Sequence, residues 1–333
     1  MLRLRIPLLF ALLLLSALLV NACGGGEERV TPTAVMQLAL TPPSPAPPTA
    51  TVPAVATPAE LEKWAALNLG LDAGPASEGI SGVRAFPLDT GKADDKLWLV
   101  YTYGLRSFDP EQFHLLVIYR QEGQGWREIA SAELSPNTPA EAAPDFVGEG
   151  SVQQVQVEPT GLWLQVEGGV GAPGGVYALY RFADQGLKRE VLASSARPPA
   201  GQLDDLNSDG VPEVVLDVSD YYVFCYACGV RYAQYNILRW DGARMATVTL
   251  TPLADSAPPL LQEANQAAMT LAAAGLWKDA EEAVDKGAAL NVEDPLFEWN
   301  AVYIQYNAEA KAEAARSGNA SVYPILDKLF YGD

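Results

Sequence analysis

The sequence predicts an α+β protein in which an antiparallel β domain is followed by an α-helical hairpin repeat segment. From about Ser81 to Leu250, short runs rich in aromatic and β-branched residues alternate with connections that contain Gly, Asp and Pro. A similar order of runs recurs three times within this stretch. After Leu253 the chain becomes rich in alanine, and its apolar residues fall at helical spacing.

The first 22 residues have the composition of a secretory signal peptide. Met1–Arg5 carries two arginines and no acid, and Leu8–Val20 is almost purely apolar. This apolar run is shorter than the roughly 20 residues that a transmembrane helix needs. We therefore expect residues 1–22 to be a signal peptide that is cleaved just before Cys23.

The cleavage region Val20-Asn21-Ala22-Cys23 resembles the lipobox of bacterial lipoproteins. The resemblance implies that the sulfur of Cys23 receives a diacylglyceryl group and that its new amino terminus is acylated. Two or three acyl chains hold a protein firmly at a membrane. The expected location is extracytoplasmic, with the lipid anchor in the bacterial cell membrane and the folded part in the periplasm or at the cell surface.

The chain after Cys23 divides into three expected segments. Residues 23–60 are rich in Pro, Thr, Ala and Gly, and they contain too few bulky apolar residues to bury a core, so we expect a tether. Residues 61–253 are expected to form the β domain, and residues 254–333 the helical segment.

The charge of the chain limits its partners. The chain has 22 basic and 41 acidic residues and a formal net charge of -19. An acidic surface repels nucleic acid and anionic lipid headgroups, which argues against both as direct partners, and it suits cations.

The β domain contains three loosely repeated units. In each unit, a strand that ends in Tyr-Arg or Arg-Trp is followed by a turn with glycine and a final strand. These pairs are Tyr119-Arg120 before Gly123, Tyr180-Arg181 before Gly186, and Arg239-Trp240 before Gly242. The repetition predicts blade-like antiparallel units. Three units are too few for an ordinary closed propeller, so propeller-like and sandwich-like sheets both remain open.

The third unit begins with a motif suited to a calcium ion. Oxygen-bearing residues occupy alternate positions, a glycine at the sixth position allows a sharp turn, and a carboxylate follows at the ninth. The expected ligands are Asp205, Asn207, Asp209, the carbonyl oxygen of Val211, and Glu213. A metal-free acidic Asx turn is the alternative interpretation.

The motif is not an EF-hand, because its twelfth position is Leu216 and a strand-like run follows it. It resembles the Asp-x-Asn-x-Asp-Gly loops of the FG-GAP and VCBS β repeats. That resemblance implies a structural calcium ion in a loop that leads into a strand.

Cys225 and Cys228 lie between two strand-like runs, where we expect a hairpin tip. A thioredoxin-like dithiol needs a helix after its first cysteine, and no helical pattern follows here. Zinc needs four ligands as a rule, and the chain offers only these thiols and His114. We therefore expect a structural disulfide in the oxidising compartment.

The helical segment resembles a tetratricopeptide repeat, in which two helices pack through small residues on either side of a glycine turn. The residues at the family spacing are Ala268, Leu271, Gly275, Trp277, Ala280 and Val284. The resemblance implies a groove for a protein or peptide. A single repeat is not stable alone, so the segment either continues in a longer array or packs against the β domain. A generic helical hairpin is the alternative.

The sequence contains no readable catalytic grouping. No Ser, His and acid combination surrounds His114, and Asp94-Asp95 and Asp204-Asp205 look like turn residues. We therefore expect a non-catalytic binding or scaffolding protein.

Two other classes of function remain open. A glycan- or solute-binding lipoprotein would use aromatic side chains of the β domain, namely Trp98, Tyr101, Tyr103 and Trp163. A secreted hydrolase would need carboxylates brought together from distant positions.

Overall fold

The strand-like runs form two antiparallel sheets in the computed structural model, and the alanine-rich C-terminal stretch forms helices. The α+β fold class is therefore confirmed. The structure describes residues 57–71, 80–92, 94–106, 112–123, 125–139, 141–221 and 232–317. Among these residues, no helix is long and apolar enough to cross a membrane.

The elements of the described residues have the following bounds. The helices are α1 (Pro58–Asn68), α2 (Pro259–Ala273), α3 (Trp277–Ala288) and α4 (Pro295–Ser317). The strands of the first sheet are β1 (Gly82–Leu88), β2 (Leu97–Leu105), β3 (Leu115–Glu122), β4 (Gly125–Glu133), β5 (Phe146–Val155), β6 (Leu162–Val170), β7 (Gly174–Ala183) and β8 (Gly186–Ser195). The strands of the second sheet are β9 (Gly201–Asp204), β10 (Glu213–Asp217), β11 (Tyr235–Trp240) and β12 (Met245–Thr247).

The first sheet curls into a half-barrel. Its strand order is β4-β3-β2-β5-β6-β7-β8, and β1 pairs with β2. The curl brings β4 close to β8 and places one face of the sheet on the inside. Alternate residues of each strand point to that face, so Leu99, Leu116, Ile118, Leu164 and Ala178 meet in one buried apolar cluster.

The outer face of the first sheet is covered by two different elements. Helix α1 packs Leu61 and Ala65 against Val100 and Tyr119 on the β1–β4 half. The sequence pattern did not predict this helix, which begins within the stretch expected to be a tether. Proline is favourable at Pro58, the first residue of this helix, because an N–H group at that position would have no partner within the helix.

The second sheet covers the outer face of the β6–β8 half. Trp163 and Tyr177 of the first sheet are fully buried in a cluster that includes Val214 of β10 and Trp240 of β11. The rings of Trp163 and Trp240 meet edge to face with centroids 5.0 Å apart. The third predicted unit is therefore a separate sheet rather than a third blade of one propeller.

The helices α2, α3 and α4 pack on one another in sequence order. Their shared cluster contains Leu261 and Ala268 of α2, Ala280 of α3, and Phe297 and Ile304 of α4. The α3–α4 turn places Asn291 at a positive φ of 52°. Helix α4 also contacts strand β11, so the helical segment and the second sheet share an interface.

Candidate functional site

The predicted calcium ligands lie in the connection between β9 and β10. These strands pair antiparallel, with Glu213 opposite Asp204, so Asp205 and Glu213 lie at the base of one hairpin. The loop needs two left-handed backbone positions, at Ser208 with φ 60° and Gly210 with φ 83°. Glycine accepts such a conformation without a steric cost.

Hydrogen bonds from the side chains of the loop to its own backbone hold the turn. The Asp205 carboxylate accepts from the amides of Asp209 and Gly210 at 3.1 and 2.9 Å. The Asn207 side-chain oxygen accepts from the Asp209 amide at 3.0 Å. The Asp209 carboxylate accepts from the Val211 amide at 2.7 Å. These are the bonds of an acidic Asx-type loop, and they position oxygen atoms whose remaining lone pairs are free to bind a cation.

Glu213 is the unusual member of the group because its side chain is buried. The residue is only 2% exposed, and its carboxylate accepts one hydrogen bond from the Leu206 amide at 3.0 Å. Burial, with a smaller contribution from the negative charges of Asp209 and Asp205, raises the pKa of Glu213 to about 7. No ion pair within the described part of the chain involves any of these three acids.

The donor set of this loop suits calcium, which prefers carboxylate, amide and carbonyl oxygens. A cation would also compensate the buried carboxylate of Glu213. The described residues nevertheless contain no group of three or more His, Cys, Asp or Glu side chains arranged to hold a metal ion. The acids of the loop bind backbone amides instead of converging on one point, so calcium binding remains a prediction.

Several predicted residues lie outside the described part of the chain. They are Cys23, Cys225 and Cys228. The residues that flank the cysteine pair are described: Asp220 and Tyr232 exchange two backbone hydrogen bonds, of 3.0 and 2.8 Å, across an isolated antiparallel bridge. The chain therefore leaves and re-enters the second sheet at neighbouring positions.

The six residues of the helical resemblance all lie at the seam between α2 and α3. Ala268, Trp277, Ala280 and Val284 are buried there, and Leu271 is packed against the same cluster. Gly275 forms the turn with φ 74°, and an added Cβ at that position would lie 2.8 Å from the Tyr232 hydroxyl. The turn is therefore in contact with the chain that enters β11.

Two asparagines of α4 attach the helical segment to the β domain, and the sequence analysis missed both. Asn300 is 1% exposed and Asn307 is fully buried. Asn300 binds both backbone polar groups of Thr251, accepting from its N–H at 2.9 Å and donating to its carbonyl at 2.7 Å. Asn307 is placed seven residues later on the same face of the helix. In the sequence, the spacing of seven residues is the only sign that these two asparagines lie on the same face of a helix.

The aromatic residues considered for glycan binding do not form an exposed surface. Tyr101 and Trp163 are buried in the core. Trp98 is half-buried and packs edge to face on Trp126. The Arg84 guanidinium lies over the ring of Tyr103, 5.3 Å from the ring centroid. These side chains stabilise the sheets.

His114 is also part of the core. It is fully buried, its Nδ1 lies 3.2 Å from the Thr102 hydroxyl, and burial lowers its pKa. The Thr102 hydroxyl in turn accepts from the Leu115 amide at 2.8 Å. This arrangement holds β2 and the start of β3 together.

Comparisons with known proteins do not extend these observations. No protein-family model matches the chain, and no curated protein matches it at a significant level.

Proposed function

We propose that the chain is a non-catalytic binding or scaffolding lipoprotein of the bacterial cell envelope. Cys23 would anchor it in the membrane, and one structural calcium ion would stiffen the loop Asp205–Glu213. The observation that carries the calcium part of the proposal is the buried carboxylate of Glu213, which lies among two further acids and forms no described ion pair. The anchor rests on the sequence of residues 1–23.

A calcium ion bound at this loop would also stabilise residues outside the loop, because the loop is continuous with the second sheet. The loop ends at Glu213, the first residue of β10, and β10 pairs with β11. Strand β11 contributes Tyr235, whose backbone is bound by Asn307 of α4. An ion that stabilises the β9–β10 hairpin would therefore also stabilise strand β11, to which the helical segment is bound.

The helical segment offers a surface for a polypeptide partner. Leu260, Leu290, Val292 and Leu296 are exposed apolar side chains at the start of α2, the end of α3 and the start of α4. In a set of helices that run alternately up and down, these three positions lie at one end. Exposed apolar side chains that cluster in this way are typical of sites for protein contact. We assign this end, defined by those four residues, to the binding of a protein or peptide.

A calcium titration of the full chain, solubilised in detergent, tests the metal site. We expect saturable binding at one site by calorimetry, together with a rise in melting temperature. Asp209→Ala should abolish both effects, whereas Asp255→Ala, which removes an exposed acid outside the loop, should leave them unchanged. A melting temperature that is identical with calcium and with chelator would refute the calcium proposal.

Membrane fractionation of cells that express the chain tests the anchor separately. The unaltered chain should remain with the membranes after a high-salt wash, because acyl chains do not depend on charge. Cys23→Ser should move the protein to the soluble fraction. Retention of the Cys23→Ser variant on the membrane would show that another feature holds the protein there.

A capture experiment tests the surface for a partner. Leu290→Asp combined with Leu296→Asp should abolish the binding of any polypeptide that the unaltered chain retains. Leu67→Asp changes an exposed leucine on α1 instead and serves as the control. A partner that binds the double variant as tightly as the unaltered chain would rule out this end of the helices.

A further inference from the structure

A small cavity lies between the second sheet and helix α4, at the end of β10 opposite the loop Asp205–Glu213. Its walls include three tyrosines, Tyr221, Tyr235 and Tyr306, and one acid, Asp217. The volume of the cavity is about 170 Å³. Pockets for drug-sized ligands begin at roughly 300 Å³, so this cavity suits a small molecule or the terminal group of a larger one.

The pairing of the strands brings these side chains to one face of the second sheet. Asp217 of β10 lies opposite Tyr235 of β11. Two residues earlier on β10, Val215 lies opposite Gln202 of β9. Opposite residues of antiparallel strands, and residues two apart on one strand, point to the same face. The other face of the sheet packs on the first sheet, whereas this face meets Tyr306 of α4.

Two of the tyrosine rings form walls that stand nearly at a right angle. The rings of Tyr235 and Tyr306 meet with centroids 5.4 Å apart and planes 80° apart. The Gln202 side-chain nitrogen donates to the Tyr306 hydroxyl at 3.3 Å and links β9 to α4. Burial, with smaller contributions from Tyr235 and Asp204, raises the pKa of Tyr306 to about 12, so this phenol is neutral at pH 7. The electron-rich faces of neutral phenol rings attract cations.

The carboxylate of Asp217 is buried in the same lining. The residue is 7% exposed, and its two oxygens accept from the Ser219 N–H at 2.8 Å and from the Tyr221 hydroxyl at 2.7 Å. A carboxylate accepts about four hydrogen bonds, so these two leave part of its capacity for a ligand. No ion pair within the described part of the chain involves Asp217. A buried charge without an opposite charge is costly, and a cation in the cavity would reduce that cost.

The chain itself already places one cation against this cluster of rings. The Arg197 guanidinium lies over the Tyr221 ring, 5.3 Å from the ring centroid. Arg197 does not itself line the cavity, and among the described lining residues Asp217 alone is charged. The lining therefore carries a negative charge, as does the whole chain with its formal net charge of -19.

We propose that this cavity binds the methylated ammonium group of a small organic cation. Aromatic ring faces are the usual partners of quaternary ammonium ligands, and the carboxylate supplies the opposite charge. An anion would be repelled by Asp217, and a hydrocarbon would leave the charge of Asp217 uncompensated. A primary ammonium is strongly hydrated and has three N–H groups that each need an acceptor, whereas a fully methylated one has none. This site is separate from the calcium loop and from the membrane anchor, and the proposal depends on neither.

Calorimetric titration of the full chain tests this proposal, in a detergent whose headgroup contains no ammonium group. The probes are the chlorides of tetramethylammonium and choline. Ammonium chloride, sodium acetate and the neutral alcohol in which carbon replaces the nitrogen of choline are the comparisons. We expect both methylated cations to bind saturably at one site and the comparisons to bind at least about tenfold more weakly. The methyl proton resonances of bound choline should move upfield, because the methyl groups lie over ring faces.

Two pairs of variants locate the binding. Tyr306→Leu removes a ring and should weaken choline by about fivefold to thirtyfold, the effect of one desolvated cation–π contact, whereas Tyr306→Phe keeps the ring and should change the affinity by less than about twofold. Asp217→Asn keeps the shape of the side chain but removes its charge, and it should weaken choline by at least about tenfold. Asp255→Asn removes the same charge at an exposed position outside the cavity and should have no effect. If Asp217→Asn fails to fold, the two Tyr306 variants decide the question.

The possible outcomes are distinct. The proposal is overturned if neither methylated cation binds, if the neutral alcohol or ammonium binds as tightly as choline, or if Tyr306→Leu binds choline as tightly as Tyr306→Phe. Glycerophosphocholine identifies the source of the cation: binding at least as tight as that of choline indicates a phospholipid headgroup, and weaker binding indicates a free solute. Each titration is repeated with calcium and with chelator. Choline binding that persists in chelator supports the cavity even where the calcium proposal fails, and calcium binding without choline binding overturns the cavity proposal and supports the loop alone.

Discussion

Asn307 of α4 binds Tyr235 of β11 through both backbone polar groups of the tyrosine. Its side-chain oxygen accepts from the Tyr235 N–H at 2.9 Å, and its side-chain nitrogen donates to the Tyr235 carbonyl at 3.4 Å. Asn300 repeats the arrangement one heptad earlier on Thr251. The two amides therefore take the place that a neighbouring strand would otherwise occupy, and they set the position of α4 on the second sheet.

Replacement of Asn307 should destabilise the folded protein. Asn307→Ala removes the hydrogen bonds that its side chain makes to the N–H and the carbonyl of Tyr235 at a part-buried interface, and the loss of such a bond typically costs about 1–3 kcal/mol. We expect a loss of about 2–3 kcal/mol in the free energy of unfolding, measured by urea titration. Gln305→Ala changes an exposed residue of the same helix and should cost less than about 0.5 kcal/mol. Equal losses in both variants would contradict the role of the amide.

The buried carboxylate of Glu213 should make the calcium-free protein less stable as the pH rises. The folded state raises the pKa of Glu213 from 4.5 to about 7, so it holds a proton that the unfolded chain has released. This stabilisation is present below pH 4.5 and is lost as the pH approaches 7, with a magnitude of at most about 3 kcal/mol. Melting temperatures in chelator should therefore fall across this interval relative to a Glu213→Gln variant.

The Glu213→Gln variant isolates this effect, because all other titrating groups, including His114, are the same in both proteins. Saturating calcium should remove the pH-dependent difference between pH 5 and 7, since the ion stabilises the ionised carboxylate. In chelator, the melting temperature of the unaltered chain should fall relative to that of the variant as the pH rises. A relative increase would contradict a raised pKa for Glu213.

Gly287 should resist replacement even though it lies within a helix. An added Cβ would lie 2.5 Å from the ring of Phe297 and 3.3 Å from the Ala264 methyl group. Gly287→Ala gains about 1 kcal/mol of helix propensity. Overpacking typically costs about 1–3 kcal/mol, so we expect a net loss of stability in thermal melting.

A second substitution checks the cause of that loss. Phe297→Leu makes room for the added methyl group, so the double variant should be more stable than the sum of the two single changes predicts. If the stability changes of the two single variants simply add in the double variant, the Phe297 ring does not clash with the added methyl group.

Cys225 and Cys228 should form a disulfide when the chain is exported. The intact mass without reductant should be two hydrogens lower than the mass after reduction, apart from any contribution of the anchor. Cys225→Ser should show no such change and should leave one thiol that reacts with an alkylating reagent. Ready alkylation of both cysteines in the exported, unreduced protein would contradict the disulfide.

Much of the fold is encoded in local patterns of the sequence. The runs that form β2, β3, β6 and β7 are rich in β-branched and aromatic side chains, and this local composition is enough to predict them as strands. Strand β5 begins at Phe146, although the strand-like alternation of its sequence is clear only from Val152 onward. Its register is irregular between Val147 and Val152, where Gly148 and Gly150 interrupt the alternation on which the prediction depended.

Other features depend on contacts between distant residues. Helix α1 carries only a short apolar stripe, and it is stable where Leu61 and Ala65 meet the first sheet. The third sequence unit forms a separate sheet instead of a third blade, and this arrangement depends on the packing of Trp240 against Trp163. Neither contact is visible in a local pattern, because the partners are separated by many residues along the chain.

Local patterns of the sequence are enough to predict the fold class, the acidic loop and the glycine turn between α2 and α3. These depend on periodicity, on turn residues and on short spacings, all of which act between neighbours in the chain. Only folding determines that Glu213 is buried, that Asn300 and Asn307 bind backbone groups of the β domain, and that the rings of Trp277 and Tyr303 lie together. Burial and hydrogen-bond pairing depend on what a side chain faces, and distant parts of the chain supply those partners only after folding.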